Sequence, residues 1–305
     1  MKRVALAFST LLLLMAAIGA VRATELLDAK PRVAVVSAFP PEWMALKAHL
    51  TEAKEHDING RAFITGQLGG KDVVLFLSGV SMVNAAMTTQ SALDRFSVTS
   101  VIFSGIAGGV DPTLTIGDVV IADQWGQYLE AVFARETADG FVIPPFMKPE
   151  EFAGYGMIVP RSVGVTRKGE PGEQNRFWFA SDPALLEAAR KVAAELKLED
   201  CVEANKCLSK SPRIVVGGNG VSGQAFVDNA KFREYVLTTF KARVLDMESA
   251  AVAHVTYTNG VPFLAVRSLS DLAGGGEGAN EMATFMGLAS LNSAAVVEAL
   301  LKALP

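Results

Sequence analysis

The chain has 305 residues, half of them apolar, with 27 glycines and a formal net charge of -4. That length and apolar fraction suit one large globular domain or two modest ones and exclude a disordered chain. A mildly acidic balance without clustered Lys and Arg excludes a nucleic-acid binder working through a broad basic surface, and makes small molecules the expected partners.

Lys2 and Arg3 precede an apolar run from Val4 to Ala20, and Val21 and Ala23 are placed for cleavage before Thr24. This pattern reads as a secretory signal peptide over residues 1–23. An uncleaved membrane anchor is the alternative, but the run is short for a span of about 20 residues. We expect no later segment to be long and apolar enough to cross a membrane. The mature chain, 24–305, is therefore expected to be soluble and periplasmic or secreted.

Beyond the leader, short β-branched runs alternate with helical patterns. "RVAVVSA" (32–38) precedes the helix-like "PEWMALKAHLTEAK", and "DVVLFLSGV" precedes "MVNAAMTTQSALDRF". "TSVIFSG" leads into a glycine loop (104–109) and "DVVIADQ"; "RIVVGGNG" precedes a helix near 229–239. "RVLDM" then meets "ESAAVAHVTYTNG", "VPFLAVRSLSD" follows, and a helix over roughly 281–303 ends the pattern. Apolar runs of this kind, bounded by Gly, Pro and Asp, suit strands buried on both faces, and their alternation with helices implies a covered, largely parallel sheet. The expected class is α/β.

Residues from about 126 to 180, rich in Pro, Gly and charge, break the rhythm and read as an insertion within one domain. Cys201 and Cys207 lie close together in "EDCVEANKCLSKSP" and are expected to form a disulfide in an oxidising compartment. A metal site would lack partners, because His49, His56 and His254 are scattered.

Ligands of open parallel sheets sit beyond the carboxyl ends of strands. That rule collects Glu42, Ser78 and Gly79, the 104–109 loop, Phe226, Glu248, Arg267, Ser270 and Asp271. Each also has a structural explanation. Glu42 and Glu248 fit first-turn carboxylates stabilised by the helix dipole, with Pro41 at the first helical position, and Asp271 fits an N-cap. Phe226 fits a core residue, and His254 a satisfied structural histidine. A cation in a buried strand needs an acid or a bound anion, so Arg267 is expected to pair with Glu248 or Glu42. We expect at most one of Asp246 and Glu248 to face a given pocket. Neither "SGIAGG" nor "GGNGVSG" matches a dinucleotide fingerprint or a P-loop.

In order and context, "SAFPPEW", "SGVSMVNAA", "SGIAGGVDPTLTIGDVVIAD", "VSGQAFV", "VLDMESAAVAHV" and "VRSLSDLA" resemble the successive motifs of the purine nucleoside phosphorylase and uridine phosphorylase superfamily. Within it they look most like the 5'-methylthioadenosine/S-adenosylhomocysteine nucleosidases, over about residues 32–303. The resemblance implies a single α/β domain on a mixed, partly barrel-like sheet, a homo-oligomer with a dimer favoured, and cleavage of a nucleoside's N-glycosidic bond; no cofactor or metal is expected. It implies that Glu42 activates water, that Glu248 binds the ribose hydroxyls with Met247 against the sugar, and that Asp271, supported by Ser270, protonates purine N7. Phe226 would stack on the base, the Val227 backbone would read its edge, and Arg267 would line the water or phosphate site.

Bond cleavage through a cationic sugar needs one acid protonated and another ionised, so Asp271 is expected to have a raised pKa while Glu42 and Glu248 stay anionic. Two departures bear on activity. Ile106 stands where nucleosidases of this kind carry a small hydroxyl residue, which argues against phosphorolysis and for slower hydrolysis. Phe39 stands where a slimmer apolar residue is common, so the pocket for the 5' substituent is altered. The expected function is an exported purine nucleosidase acting on 5'-methylthioadenosine, S-adenosylhomocysteine or adenosine. A phosphate-dependent phosphorylase and a non-catalytic nucleoside-binding protein on the same fold are the alternatives.

Overall fold

The computed structural model describes residues 25–147, 152–203 and 206–305, so the signal-peptide expectation for 1–23 lies outside the described residues. Twelve strands form one mixed sheet: β1 (Asp28–Ser37), β2 (Thr51–Ile58), β3 (Arg61–Leu68), β4 (Lys71–Leu77), β5 (Phe96–Gly109), β6 (Val119–Ile121), β7 (Gln124–Gln127), β8 (Trp178–Ala180), β9 (Ile214–Val216), β10 (Asn219–Ser222), β11 (Ala242–Asp246) and β12 (Phe263–Asp271). The helices are α1 (Pro40–Lys47), α2 (Met82–Arg95), α3 (Pro183–Glu195), α4 (Ala230–Phe240), α5 (Ser249–Asn259) and α6 (Met282–Ala303). Parallel pairings of β1 with β4 and β5, and of β5 with β12, make the centre, while β2, β3 and β8 add antiparallel margins.

Successive residues of the central strands point to opposite faces. Ala34, Val36, Val101, Phe103, Phe263 and Ala265 pack on one side with Met82 and Ala85 of α2 and Ala250 to Ala253 of α5. Val33, Val35, Ile102, Leu264 and Val266 pack on the other with Leu185 and Ala189 of α3 and Val296, Val297, Leu300 and Leu301 of α6. Both faces are covered, which is why these strands read as unbroken apolar runs. Each fully buried Leu, Val or Phe contributes up to about 1.5–3 kcal/mol against an extended chain.

β5 is the axis of the site. Its first half pairs with β1, its middle with β12, and its end, Gly108 and Gly109, leaves β1 to pair antiparallel with β11. This exchange of partners makes the sheet branch at β5. The expected glycine loop at 104–109 is therefore strand, made possible because those glycines let neighbours approach the backbone closely.

Other expectations need correcting. The helix after β1 stops at Lys47, and "TEAK" begins β2, an edge strand exposed on both faces, so no alternation marks it. β3, which pairs with β2, and α3 were not anticipated. Asp182 caps α3 by accepting from the N–H groups of Ala184 and Leu185, ahead of Pro183. Contrary to expectation, α6 is long and apolar enough to cross a membrane by length and composition, with mean hydropathy 1.4, but 56% of that apolar stretch is buried against the sheet.

Within 126–180, strands 131–133 and 158–160 pair, as do 135–137 with 140–142 and 163–167 with 170–176; Trp178–Ala180 then rejoins the main sheet beside β7. Cys201 and Cys207 are bonded across the small hairpin formed by Cys201–Glu203 and Lys206–Cys207.

Candidate active site

α1 begins one residue earlier than expected, with Pro40 and Pro41 as its first two residues and Phe39 as its N-cap. Glu42 turns back toward that cap. Its Oε2 accepts from the N–H groups of Ala38 at 2.7 Å and Phe39 at 3.2 Å, and its Oε1 accepts from the Ile106 N–H at 2.8 Å. Three backbone donors suit a carboxylate, yet burial pushes the Glu42 pKa above its ordinary value, opposed by Arg267 and those donors.

Arg267 is fully buried on β12, level with Gly105 of β5. A Cβ on Gly105 would overlap Arg267 Nη1 and come within 2.7 Å of Glu42 Oε1, so only glycine lets the two groups face each other. Arg267 Nε lies 2.7 Å from Asp246 Oδ2, Nη2 lies 3.4 Å from Glu248 Oε2, and Nη1 lies 4.0 Å from Glu42 Oε1. The expected pairing with Glu248 and Glu42 is present, but Asp246 is nearer than either.

Asp246 ends β11, and Glu248 precedes α5 with φ -141° and ψ -39°. Both line the cleft, which overturns the expectation that at most one would. Residues two apart along a strand share a face, and the turn at Met247 keeps them together. Glu248 caps nothing with its side chain; its Oε1 accepts from the Ser81 N–H at 2.8 Å. Its pKa is pushed up to about 7, first by burial and then by Asp246 and Glu42, against the pull of Arg267. The expectation that Glu42 and Glu248 both stay anionic thus meets a cluster of three buried carboxylates sharing one guanidinium.

Asp271 lies four residues further along β12, roughly 13 Å away at strand rise. Ser270 Oγ donates to its Oδ2 at 2.9 Å, and the Ala273 N–H donates to its Oδ1 at 2.8 Å, with Asn280 Nδ2 at 3.4 Å. Burial raises its pKa against these donors, the direction expected for it.

These groups line one cleft of about 630 Å³ including its open mouth. Glu42, Glu248, Asp271, Ser270, Met247, Val227, Ile106, Phe39 and Phe226 all line it, while Arg267 lies behind the wall. Phe226 is 56% exposed, so it is a rim residue and not a core one. Sequence reasoning missed Asp246, Val80 and Met282 as lining residues. The period-two rule would have found Asp246; Met282 follows a glycine-rich stretch with no periodic signal. Of Ser78 and Gly79, neither lines the cleft; their neighbour Val80 does, and the Ser81 N–H holds the lining residue Glu248. His254 stacks on Phe179 away from the cleft, and burial lowers its pKa.

The sequence pattern of the phosphorylase superfamily matches residues 32–302. The chain belongs to that superfamily. The 5'-methylthioadenosine/S-adenosylhomocysteine nucleosidase of Tolumonas auensis is 31% identical over 277 residues, covering 90% of this chain and 100% of the relative. The corresponding enzyme of Marinomonas is 33% identical, covering 88% of this chain and 98% of its own. Among solved structures, the Neisseria meningitidis nucleosidase in complex with methylthio-immucillin-A superposes with a TM-score of 0.67 at 28% identity, covering 90% of this chain and 99% of that one. Within the superfamily this chain falls with the nucleosidases, which are N-glycosidic hydrolases.

Proposed function

We propose that the protein is an exported purine nucleosidase that hydrolyses 5'-methylthioadenosine, S-adenosylhomocysteine or a related adenine nucleoside. The observation that carries this is the convergence of Glu42, Glu248 and Asp271, from three distant parts of the chain, on one cleft with Phe226 at its rim. The relatives named above supply the substrate class.

In this reading the bond from ribose C1' to the purine breaks as water attacks C1'. Glu42 takes the water's proton, and the electron pair of the broken bond moves into the base, which Asp271 protonates at N7. Glu248 holds the ribose hydroxyls and faces the positive charge that develops on the sugar. Phe226 stacks on the base, and the Val227 backbone reads its edge. Glu42 must be ionised for its step and Asp271 protonated for its own, so the rate is bell-shaped in pH. The raised pKa of Glu42 places the acid limb above the ordinary carboxylate range.

Phosphate is a poor fit in the water's place. It would bring an anion beside three carboxylates served by a single guanidinium, next to an Ile106 side chain that offers no hydrogen bond. Incubation of the purified protein with methylthioadenosine, S-adenosylhomocysteine and adenosine in phosphate-free buffer is expected to release adenine. Release that strictly requires phosphate, or binding without release, would overturn hydrolysis.

Export is supported by the charged and apolar pattern of residues 2–20 and by the Cys201–Cys207 bond, which suits an oxidising compartment. N-terminal sequencing of the periplasmic fraction tests it, with cleavage before Thr24 expected. A homodimer is part of the same reading, and exposed Val83 and Met87 on α2 offer it an apolar face. Sedimentation tests that point.

A further inference from the structure

The proposed chemistry uses Glu42, Glu248 and Asp271 but gives no task to Asp246, a carboxylate buried among them. Its Oδ1 accepts from the Glu248 N–H and the Ser249 N–H, each at 3.1 Å, and from the Ser222 hydroxyl. These bonds cap the start of α5 and fix the backbone that carries Glu248. Its Oδ2 makes no aligned hydrogen bond and instead faces Arg267 Nε at 2.7 Å, while that N–H points to Ser249 Oγ at 2.9 Å. The guanidinium lies over the Phe103 ring at 3.9 Å.

Tyr128 also faces this cluster, and burial together with the Asp246 charge pushes its phenol further from ionisation. Glu42 arrives from α1, Asp246 from β11, Glu248 from the entry to α5, and Arg267 itself from β12. Phe103 and Ile106 of β5, Ser81 before α2 and Ser249 of α5 bring no charge. Asp271 is further along β12. One cation therefore answers three acids, and its shortest contact goes to the acid that touches no part of the proposed reaction.

We propose that Asp246 is a positioning residue that holds Arg267 against itself and so keeps Glu42 and Glu248 basic. This rests on the nucleosidase reading above. With Asp246 taking the nearest contact, Glu42 is left 4.0 Å from the guanidinium. A carboxylate fully paired with Arg would be a weak base; one that shares the cation keeps enough proton affinity to take a proton from water. Asp246 adds its own negative charge to the same effect, in line with the raised pKa of Glu248.

The test replaces Asp246 with residues that still offer a helix-capping oxygen but no charge, Asp246→Asn and Asp246→Ser. In both, Arg267 is released toward Glu42 and Glu248, whose proton affinities fall. The acid limb of kcat/KM for adenine release is expected to move about one pH unit lower, and kcat on the plateau to drop several-fold with KM nearly constant. Asp246→Glu restores the charge and should return the limb to its original position even if the rate stays low. An unmoved limb in folded Asn and Ser variants would overturn the proposal, as would complete loss of turnover in folded protein or failure of both variants to fold, since Asp246 would then serve the fold or the chemistry directly. If the unaltered protein releases no base from any nucleoside, the underlying nucleosidase reading fails instead. In that event carboxyl NMR titration of Glu248, with and without Asp246→Asn, still decides whether Asp246 sets its proton affinity.

Discussion

The two ends of the cleft hold carboxylates in opposite company. Around Arg267, Glu42 and Glu248 share a cation with Asp246 and accept backbone N–H groups. At the other end Asp271 is bonded only to neutral donors, Ser270, Ala273 and Asn280, and has no ion-pair partner among the described residues. Burial favours a proton at both ends. Only the first has a positive charge that can stabilise the ionised form, so acid and base separate by environment although both are carboxyl groups.

The largest effects should come from removing one acid at each end. Glu42→Gln and Asp271→Asn are each expected to lower kcat by about 10²–10⁴-fold. What sharpens the comparison is the pH profile. Glu42 works ionised, so its loss should flatten the acid limb; Asp271 works protonated, so its loss should flatten the alkaline limb. Two variants that flatten the same limb would show that the ends are not distinct.

Next in size is Arg267→Met, which strips three buried acids of the one cation that pairs with them among the described residues and is expected to cost about 3–5 kcal/mol in urea unfolding at pH 8. The sign of its pH dependence follows from carboxylates whose folded-state pKa is raised. Glu248 goes from 4.5 to about 7 in the intact protein, so its stabilising contribution is full below 4.5 and lost as pH rises through 7. Without Arg267 the acids are pushed further the same way. The deficit of Arg267→Met should therefore shrink near pH 5, and a deficit that is constant from pH 5 to 8 would mean that packing over Phe103, not charge, is what Arg267 supplies.

A change remote from both ends sets the baseline. The Cys201–Cys207 bond closes a short loop at a sequence separation of 6, and none of the described residues of its hairpin lines the cleft. Double substitution to Ser is expected to cost about 2 kcal/mol of stability, leaving kcat within twofold. A larger loss of rate would tie the hairpin to the site.

Much of this arrangement was legible because the central strands are covered on both faces. Val33 to Val36 and Phe263 to Val266 read as strands for that reason, and carboxyl-end residues such as Glu42, Glu248 and Asp271 could then be gathered at one edge. What escaped lacked the same signal. β2 is polar on both sides, and β5 runs straight through glycines that locally mark a loop. Asp246 and Glu248 are expected on opposite sides, although a spacing of two places both on one face. The departure of β5 from β1 to β11, and the pairing with β12 that brings Gly108 beside Asp271, depend on contacts far apart in the chain and leave no local pattern.

The smallest effect should come from the rim. Phe226 is more than half exposed, so replacing it removes little from the core, and its ring can act only on what enters the cleft. Phe226→Ala is expected to raise KM about two- to tenfold, in keeping with roughly 0.5–1.5 kcal/mol for an aromatic stack, with kcat within about twofold. The split follows from the geometry: stacking holds the base equally before and during bond cleavage, whereas protonation by Asp271 changes between the two. If kcat falls as far as it does in Asp271→Asn while KM stays put, Phe226 must be aligning N7 with the Asp271 carboxyl. The end of the cleft that holds its proton would then depend on the rim as much as on its own hydrogen bonds.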